Sequence, residues 1–284
     1  MKNTAQNRII GKQAPLVPGY FMVGLWTILT LWIVGWIIVA SFSTTPAIFS
    51  GTMGKGGFHP ENYVRALITH NVLGYFLNSL IYTFSASFGV LAIAAPASYV
   101  LARYVFPGNK LIQNAFVAAL GIPAIMIIMP LFSLFAGLGW SNSRILLITL
   151  YTGFNVPFTV FFLIAFFQNI PYEFEEAAAI DGCSPMKTFW VIMFPLVQPG
   201  VITVTIFNFI TIWNEYFMAL IFANTNRLRP VAVGLFQMIQ SMRYTGDWAG
   251  MFAAVVIVFL PTLILYIFLS ERIIAGVTSG AIKG

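Results

Sequence analysis

Charged side chains are scarce in this sequence. Lysine, arginine, aspartate and glutamate make up only 8% of its 284 residues, whereas 59% of the residues are hydrophobic and the mean hydropathy is +0.88. In a soluble domain about a quarter of the residues are charged, and a soluble fold of this length could not bury so much apolar surface. The composition therefore excludes a soluble protein and predicts an integral membrane protein.

Groups that carry enzyme chemistry are also scarce or missing. The single cysteine, Cys183, excludes an internal disulfide and a cysteine-based metal cluster. Both histidines, His59 and His70, fall in one predicted loop, which disfavours a membrane protease that pairs a serine with a histidine inside the bilayer. No G-x-x-x-x-G-K-[ST] occurs, so the chain lacks a Walker A loop to hold nucleotide phosphates. We predict no catalytic residue, no metal site and no cofactor on this chain.

The net charge of +6 does not indicate a nucleic-acid partner. The 14 basic residues are scattered along the sequence, at most three to a loop or tail, instead of forming a patch. Such scattered charges are typical of residues that flank membrane spans. We therefore predict the lipid bilayer, and no nucleic acid, as a partner.

Six apolar segments are long enough to cross a bilayer, for which about 20 residues suffice. They predict an all-α integral membrane fold with six transmembrane helices in one domain over 1–284. The approximate spans are 18–42, 73–102, 111–137, 145–169, 191–223 and 248–270. A loop at 170–190 and a tail at 271–284 lie outside the bilayer in this scheme.

The distribution of basic residues predicts the orientation. The segment before the first span carries Lys2, Arg8 and Lys12 and no acid. Because basic flanks stay in the cytoplasm, the N-terminus is predicted inside. An even number of spans then places the C-terminus and the 170–190 loop in the cytoplasm too. The expected location is the plasma or inner membrane, crossed several times.

The 170–190 loop concentrates the acids of the chain. Four of the eight acids, Glu173, Glu175, Glu176 and Asp181, fall within nine residues. Pro171 suits the first position of a helix, the glutamates suit its positive end, and Gly182 suits the left-handed residue that ends it. Ser184 and Pro185 follow as an N-cap and first residue of a second helix. The sequence therefore predicts a helix, a glycine turn and a second helix.

This loop resembles the EAA loop of permease subunits in binding-protein-dependent ABC importers. The resemblance rests on Glu176-Ala177-Ala178 and on the spacing to Gly182, Ile192 and Pro195. The Asp181-Gly182 pair is similar to the branch that imports sugars, particularly the maltose-type second permease. The resemblance implies an ATPase-coupling loop made of Glu176, Ala177, Ala178, Asp181, Gly182, Ile192 and Pro195.

Residue chemistry agrees with such a docking role. Small side chains at Ala177, Ala178 and Gly182 would allow close approach to a cleft of a partner. The carboxylates of Glu176 and Asp181 would accept hydrogen bonds from basic or backbone donors there. We expect this contact to transmit the movement of an ATPase to the membrane spans.

The resemblance also implies the partners and the transported solute. It implies a second permease subunit, two ATP-binding cassette subunits that hold ATP and Mg²⁺, and an extracytoplasmic solute-binding protein. The expected solute is a sugar or oligosaccharide. Two alternatives stay open: an importer of another solute, such as a polyol or glycerol phosphate, and an ATP-independent secondary transporter, which also has spans broken by proline and glycine.

Glu215 is an acid within the predicted fifth span. An ionised acid at the centre of a membrane helix costs on the order of 2.5–3.5 kcal/mol, so its side chain should face the protein or a cavity. Thr211 and Asn214 lie within one helical turn and could share its hydrogen bonds. Asn214 and Glu215 are therefore candidates for the transport pathway or for a structural hydrogen-bonded node, and so is Asn155, a polar residue in the predicted fourth span. The sequence leaves both interpretations open.

Overall fold

The computed structural model of the chain describes residues 17–281, and every regular element in this range is helical. The α-helices are α1 (Val17–Ser41), α2 (Thr45–Phe49), α3 (Glu61–Val64), α4 (Val72–Arg103), α5 (Asn109–Leu120), α6 (Ala124–Gly137), α7 (Arg144–Gln168), α8 (Glu173–Ile180), α9 (Pro185–Thr188), α10 (Phe194–Leu196), α11 (Gln198–Trp213), α12 (Phe217–Phe222), α13 (Val231–Thr245) and α14 (Trp248–Ala281). Two π-helical turns cover Arg65–Thr69 and Phe189–Met193, and a 3₁₀ turn covers Asn226–Leu228. Lys2, Arg8 and Lys12, which carry the predicted orientation, and residues 282–284 of the predicted tail lie outside the described residues.

The helices reproduce the predicted number of spans when bent pairs are counted as one. Within residues 17–281, four helical segments, in α1, α4, α7 and the first part of α14, are long and apolar enough to cross a membrane alone, and the count is six if each of two bent helix pairs is one span. The first, second and fourth predicted spans coincide with α1, α4 and α7 within one residue. α14 begins at the predicted residue but continues to Ala281, through most of the predicted tail.

The third predicted span, 111–137, is not a single helix. α5 ends at Leu120, α6 begins at Ala124, and the two are bent by 97°. Pro123 stands in the break with a ψ of 124°. Its ring disfavours helical backbone at the preceding residue, which explains the interruption. The proline itself predicts a kink here, whereas the apolar residues that continue through the break predict that both helices belong to one span.

The fifth predicted span, 191–223, is divided twice. Residues Pro185–Leu196 form one helical segment that meets α11 at 76°, and α11 ends at Trp213 before α12 begins at Phe217. The bend falls at Val197, which has a φ of −89° and a ψ of 5°. The first residues of the predicted span therefore belong to the second helix of the 170–190 loop, which begins at Pro185.

Tertiary contacts divide the described chain into two compact units. The sequence predicts one domain over 1–284. The first unit comprises the described residues up to Thr69 together with Ser241–Ile257. An Arg65 Nε–Asp247 Oδ2 ion pair of 3.1 Å joins its two chain segments. The second unit comprises His70–Gln240 and the residues from Val258 onward.

Helix α4 is central to the second unit. Tyr82, Ala86, Val90 and Ala94 are buried at every fourth position, so one face of α4 packs into the unit, mainly against α7. The two helices approach closely, since a Cβ on Gly89 would lie 2.9 Å from the Oγ1 atom of Thr152 in α7. This packing fixes the ends of α4 and α7 relative to each other within the unit.

Candidate functional site

The acid-rich segment folds as the short helix α8, which begins later than the sequence predicts. Pro171 precedes the helix instead of occupying its first position, so this part of the prediction is wrong. The carbonyl of Tyr172 accepts the first helical bonds, from the N–H of Glu175 at 3.0 Å and of Glu176 at 3.1 Å. All three glutamates still lie in the first turn, at the positive end of the helix, as predicted.

A Schellman motif ends α8 at Gly182, whose φ is +72°. The N–H of Gly182 donates to the carbonyl of Ala179 at 3.1 Å, and that of Cys183 to the carbonyl of Ala178 at 2.9 Å. Ser184 then caps the second helix, its Oγ accepting from a backbone N–H at 3.4 Å, with a proline in the first turn. The predicted helix, glycine turn and second helix are confirmed.

The residues of the predicted coupling loop divide between two sides of α8. Glu176, Ala177, Asp181 and Gly182 are exposed on the outer side of the turn. Ala178 is only 2% exposed, and α8 packs against the Phe189–Met193 turn of the same chain. This burial corrects the expectation that the small side chain of Ala178 admits a partner, because it serves packing within the subunit.

The two remaining predicted residues also differ in exposure. Ile192 is half-buried and packs against a cluster that contains Tyr99, Phe167 and Met193. Pro195, by contrast, is exposed in the last turn before the bend at Val197. Ile192 therefore holds the second helix of the loop to the spans, and Pro195 lies on the surface.

Arg103, at the end of α4, connects the loop to the membrane helices. The sequence predicts only a membrane-flanking charge for it. Its side chain is 1% exposed and forms an ion pair with Glu175, with Nε donating to Oε2 at 2.6 Å. The hydroxyl of Tyr99 donates to the other carboxylate oxygen at 2.8 Å. The concentration of acids in the loop hints that one of them is paired, but nothing in the sequence identifies the partner 72 residues away.

The exposed side of the turn combines acids with apolar side chains. Ile180 is 87% exposed at the end of α8, and Met186 is exposed at the start of the second helix. Glu176 and Asp181 lie on the same turn, and Lys187 is the single base of the 171–190 stretch. Exposed apolar groups beside charges are typical of a protein interaction surface. The surface is chemically suited to a partner with apolar and basic groups.

Glu215 lies in the break between α11 and α12 and caps the second of these helices. Its Oε1 accepts from the N–H of Met218 at 2.6 Å, and its Oε2 accepts from the N–H of Ala219 at 3.1 Å. The hydroxyl of Tyr151 donates to the same Oε2 at 2.8 Å. A broken membrane helix leaves N–H groups that need partners, and the carboxylate supplies them. This geometry favours the structural interpretation of Glu215.

The other two polar candidates of the spans lie in different surroundings. Asn155 and Glu215 line one cavity of about 420 Å³, whose wall is otherwise mainly apolar. Asn155 donates to the carbonyl of Tyr151 at 2.8 Å. Asn214 is exposed and donates to the carbonyl of Ile210 at 2.8 Å, so it does not share the hydrogen bonds of Glu215 in the way the sequence suggests. The structure thus brings two of the three candidates together.

Known proteins resemble this chain over most of its length. The family described as binding-protein-dependent transport system inner membrane component matches residues 94–275. The diacetylchitobiose uptake system permease protein NgcG of Streptomyces coelicolor is 35% identical, over 91% of this chain and 86% of its own. The trehalose/maltose transport system permease protein MalG of Thermococcus litoralis is 32% identical, over 88% of this chain and 90% of its own.

The fold also occurs in a solved structure, that of a bacterial ABC transporter involved in the import of the acidic polysaccharide alginate. One of its chains superposes with a TM-score of 0.79 at 22% identity, over 94% of this chain and 97% of that one. An identity this low supports the fold alone. The family match, which spans the helix–turn–helix described above, shows that this chain belongs to the inner membrane components of binding-protein-dependent transport systems, the permease subunits of ABC importers.

Proposed function

We propose that this chain takes up a sugar or oligosaccharide as one of two permease subunits of an ATP-driven importer. The names of its relatives from Streptomyces coelicolor and Thermococcus litoralis, both sugar uptake permeases, support the solute class. An extracytoplasmic binding protein delivers the solute. Two ATP-binding cassette subunits hold ATP and Mg²⁺ and hydrolyse the nucleotide, so this chain is a non-catalytic subunit. Import of a polyol or glycerol phosphate is the alternative within the same class.

The exposed turn at the end of α8 carries the coupling part of this proposal. Glu176 and Asp181 offer acceptors, Ala177 and Gly182 offer a small surface, and Ile180 offers an apolar contact to a cleft of the ATP-binding subunit. When that subunit closes on ATP, α8 moves with it. The second helix, which packs on the spans through Ile192, carries this movement toward the membrane.

The cavity beside Asn155 is a candidate for part of the solute pathway. A mainly apolar wall with a few polar groups is typical of small-molecule sites. Glu215 supports its shape by capping α12, and Asn155 presents an amide to it. In this proposal Glu215 keeps the helix break in place, and Asn155 is the residue that can meet the solute.

The proposed orientation places both termini and the 170–190 loop in the cytoplasm, and the lone cysteine tests it. Cys183 follows the exposed Gly182 and is half-buried. An impermeant maleimide should label it in inverted vesicles and leave it unlabelled in intact cells.

A matched control uses the loop between the first two spans, which is predicted outside. In a Cys183→Ser background, Lys55→Cys in the exposed Gly51–Gly57 segment should label in intact cells. Labelling of Cys183 from outside, with Lys55→Cys labelled only in inverted vesicles, would reverse the proposed orientation.

Hydrolysis of ATP by partner subunits is the central test of the function. The chain lacks a phosphate-binding loop, so the purified subunit should show no saturable ATP binding and no hydrolysis. The tagged chain purified from its native membrane should bring with it a second permease and an ATPase. Turnover of ATP by a verified single-subunit preparation would contradict the proposal, as would the absence of any ATPase from the purified assembly.

A further inference from the structure

One buried arginine links three chain segments in the second unit. The guanidinium of Arg103 donates from Nη1 to the carbonyl of Ile170 at 2.9 Å and to that of Phe167 at 3.3 Å. Its Nη2 donates to the carbonyl of Pro171 at 3.3 Å. These carbonyls lie at and just after the end of α7, where free acceptors need partners and where a positive charge is favourable. Arg103 therefore joins the end of α4 to the end of α7.

The same guanidinium also holds α8. Both carboxylate oxygens of Glu175 are engaged, one by Tyr99 and the other by Arg103. The ring of Tyr172 lies against the guanidinium, with its centroid 3.8 Å from the Cζ atom. Glu175 thus faces the spans, while its neighbour Glu176 is exposed on the outer side of α8. The two adjacent glutamates have different surroundings and should have different roles.

The connection between α7 and α8 explains why such a link matters. Only residues 169–172 separate Gln168, the last residue of α7, from Glu173. A short irregular connection can act as a hinge, and a hinge would let α8 move without moving the spans. The hydrogen bonds of Arg103 to the carbonyls of Ile170 and Pro171 lie within this connection and restrain it.

We propose that Arg103, through Glu175, is a positioning residue that locks α8 to the ends of α4 and α7, so that movement of α8 is delivered to the spans. This inference rests on the proposed docking of α8 on an ATP-binding subunit. Arg103 does not touch that subunit or the solute. It acts by restraining the connection between α7 and α8, so that α8 cannot move independently of the membrane helices.

The test compares ATP consumption with solute import in the assembled complex in vesicles. Arg103→Gln keeps a hydrogen-bond donor but removes the charge and the fork of donors. ATP hydrolysed per solute imported should rise by roughly threefold or more, because residues that couple distant sites affect the coupling by this order. Amide hydrogen exchange should quicken in α8, with exchange in α4 and α7 near the parental rate.

Companion variants separate this role from a folding role. Glu175→Gln should raise the same ratio of ATP hydrolysed to solute imported. The double variant should have a ratio no higher than that of the more affected single variant, because both substitutions break the same Arg103–Glu175 ion pair. Glu173→Gln, which alters an exposed acid in the same turn of α8, should keep the parental ratio. If Arg103→Gln does not assemble, Tyr99→Phe removes a single hydrogen bond to Glu175 and should give a smaller rise.

The outcomes separate the lock from the docking. A raised ratio in Arg103→Gln and Glu175→Gln, with Glu173→Gln unchanged, supports the lock. A parental ratio in assembled Arg103→Gln or Tyr99→Phe complexes, or a loss of hydrolysis and import in equal proportion, overturns it. If Gly182→Val on the docking surface leaves assembly and uptake at the parental level, the docking itself is contradicted. Reduced uptake in Gly182→Val beside a parental ratio in Arg103→Gln and Glu175→Gln overturns the lock alone.

Discussion

Replacing Gly182 by valine should lower ATP-driven uptake roughly five- to thirtyfold and leave the chain inserted in the membrane. The φ of +72° at this position costs an L-residue about 1–2 kcal/mol, and a β-branched side chain tolerates it least. Apart from the two adjoining residues, no atom of the described part of the chain lies within 4 Å of the position of an added Cβ, so the strain comes from the backbone and not from packing. Uptake, complex assembly and substrate-stimulated hydrolysis measure the effect.

The matched control keeps the left-handed conformation with a different side chain. Asn tolerates positive φ far better than Val, so Gly182→Asn should retain most of the uptake if the turn geometry is what matters. Equal losses of uptake in both variants would show that the bulk of the new side chain against the partner, and not the backbone angle φ, causes the loss. Parental uptake in Gly182→Val would contradict the coupling role of the turn.

A charge reversal tests the same surface in a different way. Glu176 is exposed, and the acid that pairs with Arg103 is Glu175, so Glu176→Lys should leave the subunit folded and weaken association with the ATP-binding subunits. Lys187→Ala, on the second helix beyond the turn, is the control and should matter less. Assembly and hydrolysis at parental levels in Glu176→Lys would contradict the proposed docking.

Replacing Glu215 by alanine should sharply reduce the amount of assembled complex. The change leaves the hydroxyl of Tyr151 and the N–H groups of Met218 and Ala219 without their acceptor. A buried polar group that loses its partner costs about 1–3 kcal/mol, and several are affected together. The yield of intact complex after detergent extraction and its thermal unfolding midpoint measure the loss.

Two variants show what the carboxylate of Glu215 does. Glu215→Gln keeps one acceptor oxygen and the shape of the side chain, so complex yield should stay well above that of Glu215→Ala. Asn214→Ala alters the exposed neighbour, whose side chain bonds to the carbonyl of Ile210, and should behave like the parent. A Glu215→Gln complex that assembles fully but no longer imports solute would show that the charge of Glu215 is needed in the transport pathway. Parental assembly in Glu215→Ala would contradict the structural role.

The sequence by itself determined the class of the protein and the local form of its functional loop. Scarce charge and long apolar segments require a bilayer, because no other environment hides so much apolar surface. The turn at Gly182 and the cap at Ser184 follow from conformational preferences and hydrogen bonds that act within a few residues. Such signals are complete in a short stretch of sequence, so the helix–turn–helix was predictable before any tertiary contact was known.

The tertiary structure decided which side chains face the spans and which partners they have. Ala177 and Ala178 are identical in the sequence, yet one is exposed and the other buried, because α8 packs on the Phe189–Met193 turn. Arg103 lies 72 residues from Glu175 and Tyr151 lies 64 residues from Glu215, and no local preference joins either pair. Contacts of this kind depend on how whole helices pack in space, which short-range sequence signals do not specify.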